Sequence, residues 1–357
     1  MEIKNRFGLL MALMVLAVTP MTASAQQLRE AFRKVNQSVV TVRTKRIDVA
    51  PLPGQVMSIV DGLGSGVLIS NDGKVLTAAH VVQTADAALV EFSDGQDSIA
   101  RVIASDVRSD VALLQLQQPP KGITPATLGD SDKVEVGDQI FVIGAPYGIA
   151  QTLSVGHLSG RRRLDPNSGN QSSIEFLQTD AAVNGGNSGS PMFDMNGQVV
   201  GIVSTIMSQS GGSEGLAFAA ATNTAKRFLL DRKPFWSGID GVLVTGELAR
   251  ALNLPQPAGF LVQRIGEGSM GSRLGINGGT LRVNVQGADL LLGGDVILSV
   301  NDIDVTAPTT TEPPVGVAGD NYERILNSLV SLKTGDTVIL RVMRAGKIVK
   351  LTATVEQ

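Results

Sequence analysis

The chain has 357 residues, of which 43% are hydrophobic, and its 30 Lys and Arg residues nearly balance its 33 Asp and Glu residues. This balance argues against a surface built for nucleic acid or for an anionic membrane, and the length favours two domains. The sequence has 40 glycines and no cysteine, which excludes disulfide bonds and favours many short strands and turns.

The amino-terminal segment has the organisation of an export signal. Lys4 and Arg6 form a basic start, residues 8–18 (GLLMALMVLAV) are continuously apolar, and ASA at 23–25 supplies the small residues that a signal peptidase needs. The apolar run is too short for a membrane span, which takes about 20 residues. We therefore predict an exported chain that is cleaved after Ala25 and is not stably inserted in a membrane.

The segment that follows is predicted to be mainly β. A short amphipathic helix is expected at 28–35 (LREAFRKV), and turn signals such as NDG at 71–73 then separate runs with the period of strands. These runs lie at 38–44, 64–70, 74–79, 86–92, 99–105, 111–116, 139–144, 151–159, 173–179, 189–193 and 198–205. Their regular spacing predicts an all-β barrel or sandwich.

The carboxy-terminal part has a different, mixed content. A helix predicted at 223–233 ends before a proline, and DRKPFW at 231–236 is the predicted domain boundary. Further helices are predicted at 246–254 and 321–332, and a closing hairpin at 337–355. An inserted apolar segment at 277–292 is expected to form an extra hairpin. The predicted organisation is therefore a signal peptide (1–25), a first domain (26–233) and a second domain (237–357).

One serine is surrounded by glycines in the sequence VNGGNSGSP at 183–191. A serine hydroxyl is a weak nucleophile until a base, usually histidine, accepts its proton. Of the two histidines, His80 lies where a strand-like run enters a small-residue turn, and it is the predicted base for Ser188. His157 lies inside a strand-like alternation and is expected to have no catalytic role. Asp110, ahead of an apolar strand, is the predicted carboxylate that orients the base.

The glycines beside Ser188 also fit this chemistry. Acyl transfer builds negative charge on an oxygen, which backbone N–H donors stabilise, and glycine lets a turn expose such donors. We predict that the amides of Gly186 and Ser188 form this oxyanion hole. A serine esterase of the α/β-hydrolase class is the alternative, but its GxSxG elbow lies between a parallel strand and a helix, unlike the all-β setting predicted here.

The order of the motifs LTAAHVV, SDVALLQL, GNSGSP and GIVS resembles that of a trypsin-fold serine protease. FLQTDAAVNGGNSGSPMF at 176–193 and GSGVLIS at 64–70 resemble, more narrowly, the HtrA/Deg family of periplasmic proteases with a C-terminal PDZ domain. The resemblance covers roughly residues 30–357. It implies a trypsin-like double β-barrel followed by a smaller α+β PDZ domain.

This resemblance also implies roles for individual residues. His80 is the general base, Asp110 its orienting carboxylate and Ser188 the nucleophile. The sequence departs from the family pattern at Ser190, where a second glycine is usual, and at Gly185, where a larger residue is common. The family further implies ATP-independent degradation of misfolded proteins, no cofactor, no metal, and a homotrimer.

The residues around the serine also bear on activation. Asn187 stands where digestive proteases of this fold have an aspartate that pairs with a freshly cut amino terminus. A neutral side chain cannot form that ion pair, so no proteolytic activation is expected.

Substrate specificity is predicted from position within the same motifs. Ala182 is placed at the base of the specificity pocket, with Ile206 and Leu216 on its walls, and Val183 and Ser204 beside the substrate. Because no charge is present, small aliphatic side chains before the cut are expected, with loose selectivity.

The second domain is expected to bind the C-terminal ends of peptides. GGDVILSVND at 293–302 resembles a PDZ strand, and PDZ domains add an extended peptide to a sheet edge and hold its carboxylate in a backbone loop. That loop is predicted at 236–239, and the groove helix at 321–330. The predicted loop residues are Trp236, Ser237, Gly238 and Ile239.

Two further interpretations remain open. The polar segment at 159–173, with its three arginines, resembles the family's sensing loop, while a solvated surface loop explains the same composition.

The whole chain is interpreted first as an endopeptidase that acts on unfolded proteins and peptides. The alternative is a peptide-binding chaperone or scaffold with a latent protease domain.

Overall fold

The computed structural model describes residues 19–48, 58–164, 174–208, 210–285, 287–306, 321–333 and 335–355. The apolar run 8–18 of the predicted signal and residues 165–173 of the arginine-containing segment lie outside these residues. Helix α1 runs over Thr19–Val35. It is longer than the predicted helix and crosses the predicted cleavage point after Ala25. No helix in the described part of the chain is long and apolar enough to cross a membrane.

The first six strands form a closed barrel, with neighbours in the order β1-β2-β3-β6-β5-β4. Their bounds are β1 Val39–Asp48, β2 Ser58–Leu68, β3 Lys74–Thr77, β4 Ala87–Phe92, β5 Asp97–Asp106 and β6 Val111–Leu116. Side chains alternate across each strand, so Ala88, Val90 and Phe92 of β4 all point into the barrel core. A four-residue helix, α2 (Ala79–Val82), follows β3.

The next strands form a second barrel. Their bounds are β7 Thr127–Leu128, β8 Gln139–Gly144, β9 Thr152–Leu164, β10 Ile174–Thr179, β11 Pro191–Asp194, β12 Gln198–Ile206 and β13 Ala217–Ala221. The order β11-β8-β9-β10-β13-β12 is closed by pairing of β11 with β12, and β7 lies beside β12. Two closed six-stranded barrels confirm the predicted trypsin-like architecture.

The two barrels meet through one hydrophobic cluster. Phe141 of β8 and Phe193 of β11 stack with their ring centroids 5.1 Å apart, and both are fully buried. Ala31 and Val35 of α1 and Leu113 of β6 belong to the same cluster. Burial of each large side chain contributes about 1.5–3 kcal/mol. This shared cluster packs β6, which follows Asp110, together with β11, which follows Ser188.

The chain leaves the second barrel through α3 (Thr222–Ala225), which continues as a π-helical turn over Lys226–Leu230. This helical segment ends before the predicted residue 233. The remaining helices are α4 Gly246–Ala251, α5 Met270–Arg273 and α6 Tyr322–Val330, and the strands are β14 Ile239–Thr245, β15 Ala258–Ile265, β16 Leu281–Val285, β17 Ala288–Leu292, β18 Val296–Val300, β19 Ile303–Asp304, β20 Thr337–Arg344 and β21 Lys347–Thr354.

These last strands form a smaller α+β unit. The sheet has the order β14-β15-β18-β20-β21, with β19 beside β18 and β14 at an edge. Among the described strands, β16 and β17 pair only with each other, so the inserted segment forms a hairpin, as predicted. It is fastened to β15 because the side-chain amide of Gln263 bonds the carbonyl and the N–H of Leu291. The fold is consistent with the predicted PDZ domain.

Candidate active site

The predicted base and its orienting carboxylate lie on neighbouring turns of the first barrel. His80 is on α2 and Asp110 is between β5 and β6, where its φ of 51° is unusual for a residue other than glycine. A carboxylate oxygen of Asp110 lies 2.8 Å from the Nδ1 atom of His80. The other accepts a hydrogen bond from the His80 backbone N–H at 2.9 Å. The structure therefore brings these two residues together, and one carboxylate orients both backbone and ring.

Ser204 adds a contact that sequence reasoning missed. Its hydroxyl donates to the Asp110 carboxylate at 2.6 Å, across a separation of 94 residues. The Asp110 side chain is only 16% exposed, so this bond and those from His80 satisfy a carboxylate that water reaches poorly. The Ser204 hydroxyl thus holds the carboxylate, and the predicted place of Ser204 beside the substrate stays a prediction. The motif GIVS indicated a strand, but nothing in it predicted this hydrogen bond.

The pKa of His80 is set by opposing effects. Partial burial of the imidazole lowers its pKa, and the hydrogen bond and charge of Asp110 raise it. The net result is a pKa above the ordinary value. The ring is still 51% exposed, so it can exchange protons with a substrate in the crevice. The form able to accept a proton is therefore lost as the pH falls through this raised pKa.

The turn that carries Ser188 is clamped between the barrels. The Ser188 carbonyl accepts a hydrogen bond from the N–H of Ser65 at 2.7 Å, and the N–H of Gly189 donates to the carbonyl of Val203 at 2.7 Å. Gly189 has a φ of 87°, and a Cβ there would collide with the carbonyl oxygen of Ser65. Glycine is therefore required after the serine, as the sequence predicted for a tight nucleophile turn.

The predicted oxyanion donors lie in the same turn. Gly186 has a φ of 97° and its carbonyl accepts from the Ser65 hydroxyl at 2.8 Å, while the carbonyl of Gly185 accepts from the N–H of Tyr147 at 2.8 Å. The carbonyls of both glycines are therefore held by neighbouring segments. Among the hydrogen bonds of the described residues, the N–H groups of Gly186 and Ser188 donate to no protein group. Both N–H groups are therefore available to a bound oxyanion.

The segment that carries Ser188 packs directly against the one that carries His80. A Cβ placed on Gly189 would lie 2.9 Å from the backbone nitrogen of Ala78, two residues ahead of the histidine. No hydrogen bond joins the imidazole of His80 to the hydroxyl of Ser188 among the bonds of the described residues. Such catalytic bonds often tighten only when substrate binds. The three predicted catalytic residues thus lie on adjoining segments at the junction of the barrels.

His157 lies apart from this arrangement. It is exposed on β9, its backbone N–H donates to Asp180 at 2.6 Å, and its ring lies 3.9 Å from the same carboxylate. This pairing involves none of the predicted catalytic residues, in keeping with the expectation that His157 takes no part in catalysis.

The predicted specificity-pocket residues differ in burial. Val183 is 3% exposed within the core of the second barrel, and Ile206 packs against the same cluster. Ala182 is exposed, and Leu216 is 41% exposed at its surface. Val183 and Ile206 therefore belong to the apolar core of the second barrel, and the roles of all four residues in holding a substrate side chain stay predictions.

The predicted carboxylate loop and groove helix border one groove of the C-terminal unit. Residues 236–239 lead directly into β14, and residues of both this segment and α6 line the groove. Most side chains that line the groove are apolar; they include Ile239, Leu243, Phe260, Val300, Ile325 and Leu329. Ser237 and Ile239 of the predicted loop line this groove, while the role of the loop and the occupant of the groove stay predictions.

The three arginines at 161–163 lie in strand β9, so the part of the chain that carries them is not a loop. Arg161 makes two hydrogen bonds to the carboxylate of Glu175, at 3.0 and 2.7 Å, and Arg163 makes one at 3.1 Å. Burial raises the pKa of Glu175, but these two guanidinium groups lower it by more, so its pKa lies below the usual range. Arg161 and Arg163 therefore bind Glu175 within the second barrel, and the two interpretations of the segment 159–173 stay open.

The two closed barrels, with a histidine–aspartate pair and a glycine-flanked serine at their junction, define the class of trypsin-fold serine proteases. In agreement, the family model described as "Trypsin-like peptidase domain" matches residues 64–202. The chain belongs to the HtrA/Deg family within this class, as the following relatives show.

A "Probable periplasmic serine endoprotease DegP-like" of Pseudomonas putida (strain W619) is 38% identical over 240 residues, which are 66% of this chain and 49% of the relative. The "Periplasmic pH-dependent serine endoprotease DegQ" of Escherichia coli (strain K12) is 36% identical over 249 residues, 67% of this chain and 53% of the relative. The chain thus spans about half the length of these curated relatives.

A solved structure resembles nearly the whole chain. It is a serine-to-alanine variant of the HtrA-type protease AlgW with a decapeptide, 28% identical in sequence, with a TM-score of 0.52. The similarity covers 92% of this chain and 97% of that one. It therefore includes the C-terminal unit as well as the barrels.

Proposed function

We propose that this chain is an ATP-independent serine endopeptidase that degrades misfolded or unfolded proteins. The observation that carries the proposal is the His80–Asp110 pair, held at 2.8 Å beside a nucleophile turn with two available N–H groups. The names of the relatives support the same reaction.

We also propose export to the periplasm with cleavage after Ala25, because those relatives are named periplasmic and residues 1–25 have the organisation of a signal.

The geometry supports a double-displacement mechanism. His80 accepts the proton of Ser188 as the serine oxygen attacks the peptide carbonyl, and the oxyanion receives hydrogen bonds from the N–H groups of Gly186 and Ser188. Asp110 orients the ring and stabilises the imidazolium. His80 then protonates the leaving amine, and water, activated by the same ring, hydrolyses the acyl-enzyme. No metal or cofactor takes part in this proposal.

The reaction is tested with the full chain and denatured casein. We expect digestion without ATP, with small aliphatic residues such as Val or Ala before the cuts, because the predicted pocket residues Ala182, Ile206 and Leu216 carry no charge. Mass spectrometry of the fragments checks the cut sites, and a fluorophosphonate probe should label Ser188. Intact casein together with an unlabelled serine would contradict the proposal and favour the second candidate, a peptide-binding chaperone or scaffold with a latent protease domain.

We propose that the C-terminal unit, residues 237–357, binds extended peptides by their free C-terminal ends and is a domain separate from the protease domain, residues 26–233. Two observations support this. Among the described strands, β14 pairs only with β15, so its other edge can accept a further strand. The AlgW structure was solved with a decapeptide.

A peptide bound there is expected to activate the protease. Binding shifts the population of the active form only if the peptide binds that form better, and coupling between sites of this kind is typically about 5–150-fold. The measurement is turnover of a small chromogenic substrate across a titration of an apolar peptide with a free C-terminal carboxylate. The same peptide with an amidated end is the control. A flat response to the free acid would mean that the C-terminal unit only tethers substrates.

We further propose that the chain forms a homotrimer, as its family resemblance implies. Ile47 of β1 and Ile59 of β2 are paired neighbours at one end of the first barrel, and they are 60% and 66% exposed. Burial of such side chains between subunits is favourable. Sedimentation equilibrium measures the mass of the assembly.

A further inference from the structure

The predicted peptide groove is closed at one end by a residue of the first barrel. Gln83 follows α2 directly, is 6% exposed, and lines the groove together with Ser237 and Ile239. Its side-chain amide nitrogen donates to the Ser237 hydroxyl at 3.1 Å and to the Ile239 carbonyl at 3.2 Å. Its amide oxygen accepts a hydrogen bond from the hydroxyl of Ser105. Hydrogen bonds to both the nitrogen and the oxygen of the amide therefore fix its orientation.

Backbone contacts hold the same two parts of the chain together. The indole N–H of Trp236 donates to the Gln83 carbonyl at 3.1 Å, and the Ser105 N–H donates to the Phe235 carbonyl at 2.9 Å. The loop at 236–239 is thus docked on the first barrel, and Gln83 is at the centre of the contact. The end of the groove is built from both units.

The chemistry of the groove indicates what this end binds. A peptide that extends the sheet along β14 would place its last residue near 236–239, because β14 begins at Ile239 and this binding mode holds the terminal carboxylate in the preceding loop. No Lys or Arg is among the described residues that line the groove, and Asp240, which does line it, is itself an acid. Neutral donors must therefore hold the negative charge of the carboxylate.

We propose that Gln83 is one of these donors, so that the carboxylate site is shared between the protease barrel and the C-terminal unit. In the bound state, the Gln83 amide nitrogen donates to the carboxylate of the peptide in place of the Ser237 hydroxyl. The exchange is favourable because a charged oxygen is a stronger acceptor than a hydroxyl, and because Ser105 already holds the amide. This inference rests on the proposed peptide binding.

The position of Gln83 also links the site to the catalytic base. Its N–H donates to the Ala79 carbonyl at 2.8 Å, and this bond closes the short helix that carries His80. A peptide carboxylate that moves the Gln83 side chain is therefore expected to move the end of the helix that carries His80. Loss of the Gln83 donor should reduce both the affinity for the peptide and the activation that it causes.

The test measures peptide affinity in the full chain with Ser188→Ala, which prevents cleavage of the probe. The probe is a fluorescent decapeptide that ends in valine, with either a free or an amidated C-terminus, and binding is followed by anisotropy. Gln83→Met keeps the length of the side chain but removes the donor. We expect it to weaken binding of the free acid roughly 10- to 100-fold, as for loss of a hydrogen bond to a charged group, and to leave the amide unchanged.

The control is Gln117→Met, which changes an exposed glutamine of the same barrel and should alter neither affinity. If Gln83→Met does not fold, Gln83→Asn retains an amide that is too short to reach, and the same loss is expected. Unchanged affinity for the free acid would overturn the inference, as would an equal loss for both peptides, since Gln83 would then only support the groove. If the chain with Gln83 intact binds neither peptide, the proposed peptide binding fails and this inference fails with it.

Discussion

Replacement of Ser188 by alanine should abolish proteolysis while the fold and peptide binding remain intact. Loss of the nucleophile of a serine protease costs on the order of 10⁶ in turnover, as measured for subtilisin. The fold should survive because the turn is held by backbone groups, among them the Ser188 carbonyl bonded to Ser65 and the Gly189 N–H bonded to Val203. Casein digestion measures the activity, and thermal unfolding measures the fold.

A matched control for this variant lies in the same turn. Ser190→Ala also removes one hydroxyl, which is buried and lies 3.5 Å from the side-chain oxygen of Asn187. It should lower stability slightly and leave most of the activity. Normal casein cleavage by the Ser188→Ala protein would exclude Ser188 as the nucleophile, and equal losses in both variants would show that the turn is sensitive to any change.

The substitution Asp110→Asn should lower turnover by about 10⁴, the loss found when the corresponding carboxylate of trypsin is replaced. An asparagine amide can donate to Nδ1 of His80, and the ring then has its proton on the wrong nitrogen. The carboxylate also raises the pKa of His80, so its removal should lower that pKa. The acidic limb of the profile of kcat/KM against pH should therefore move to lower pH, which a chromogenic peptide substrate can measure.

Two further variants test the support of Asp110 and the choice of the catalytic base. Ser204→Ala removes the 2.6 Å hydrogen bond to the carboxylate but leaves its charge, so a smaller loss than that of Asp110→Asn is expected. His157→Ala should have no effect, because this exposed ring lies beside Asp180 and outside the site. If His157→Ala were as damaging as His80→Ala, the base would have been assigned wrongly.

Much of the fold could be predicted from local signals, because they depend on neighbours in the chain. Alternation of apolar residues and turn motifs placed most strands, and the pattern of β4 is an example, with alternate side chains in the core. Strand β13, Ala217–Ala221, was missed because a run of alanines has neither alternation nor strong strand preference. Its small side chains are buried between β10 and β12, which only the closed barrel supplies.

By itself, the sequence predicted a two-part organisation and assigned the base, the orienting carboxylate and the nucleophile to His80, Asp110 and Ser188, because the chemistry restricts which residue types can serve. Only the tertiary structure decided how these groups are supported. The bond from Ser204 to Asp110 spans 94 residues, and the bond from Gln83 to Ser237 spans 154. The physical reason is that such bonds depend on barrel closure and on docking of the C-terminal unit, and no local periodicity or turn motif encodes a contact made at that distance along the chain.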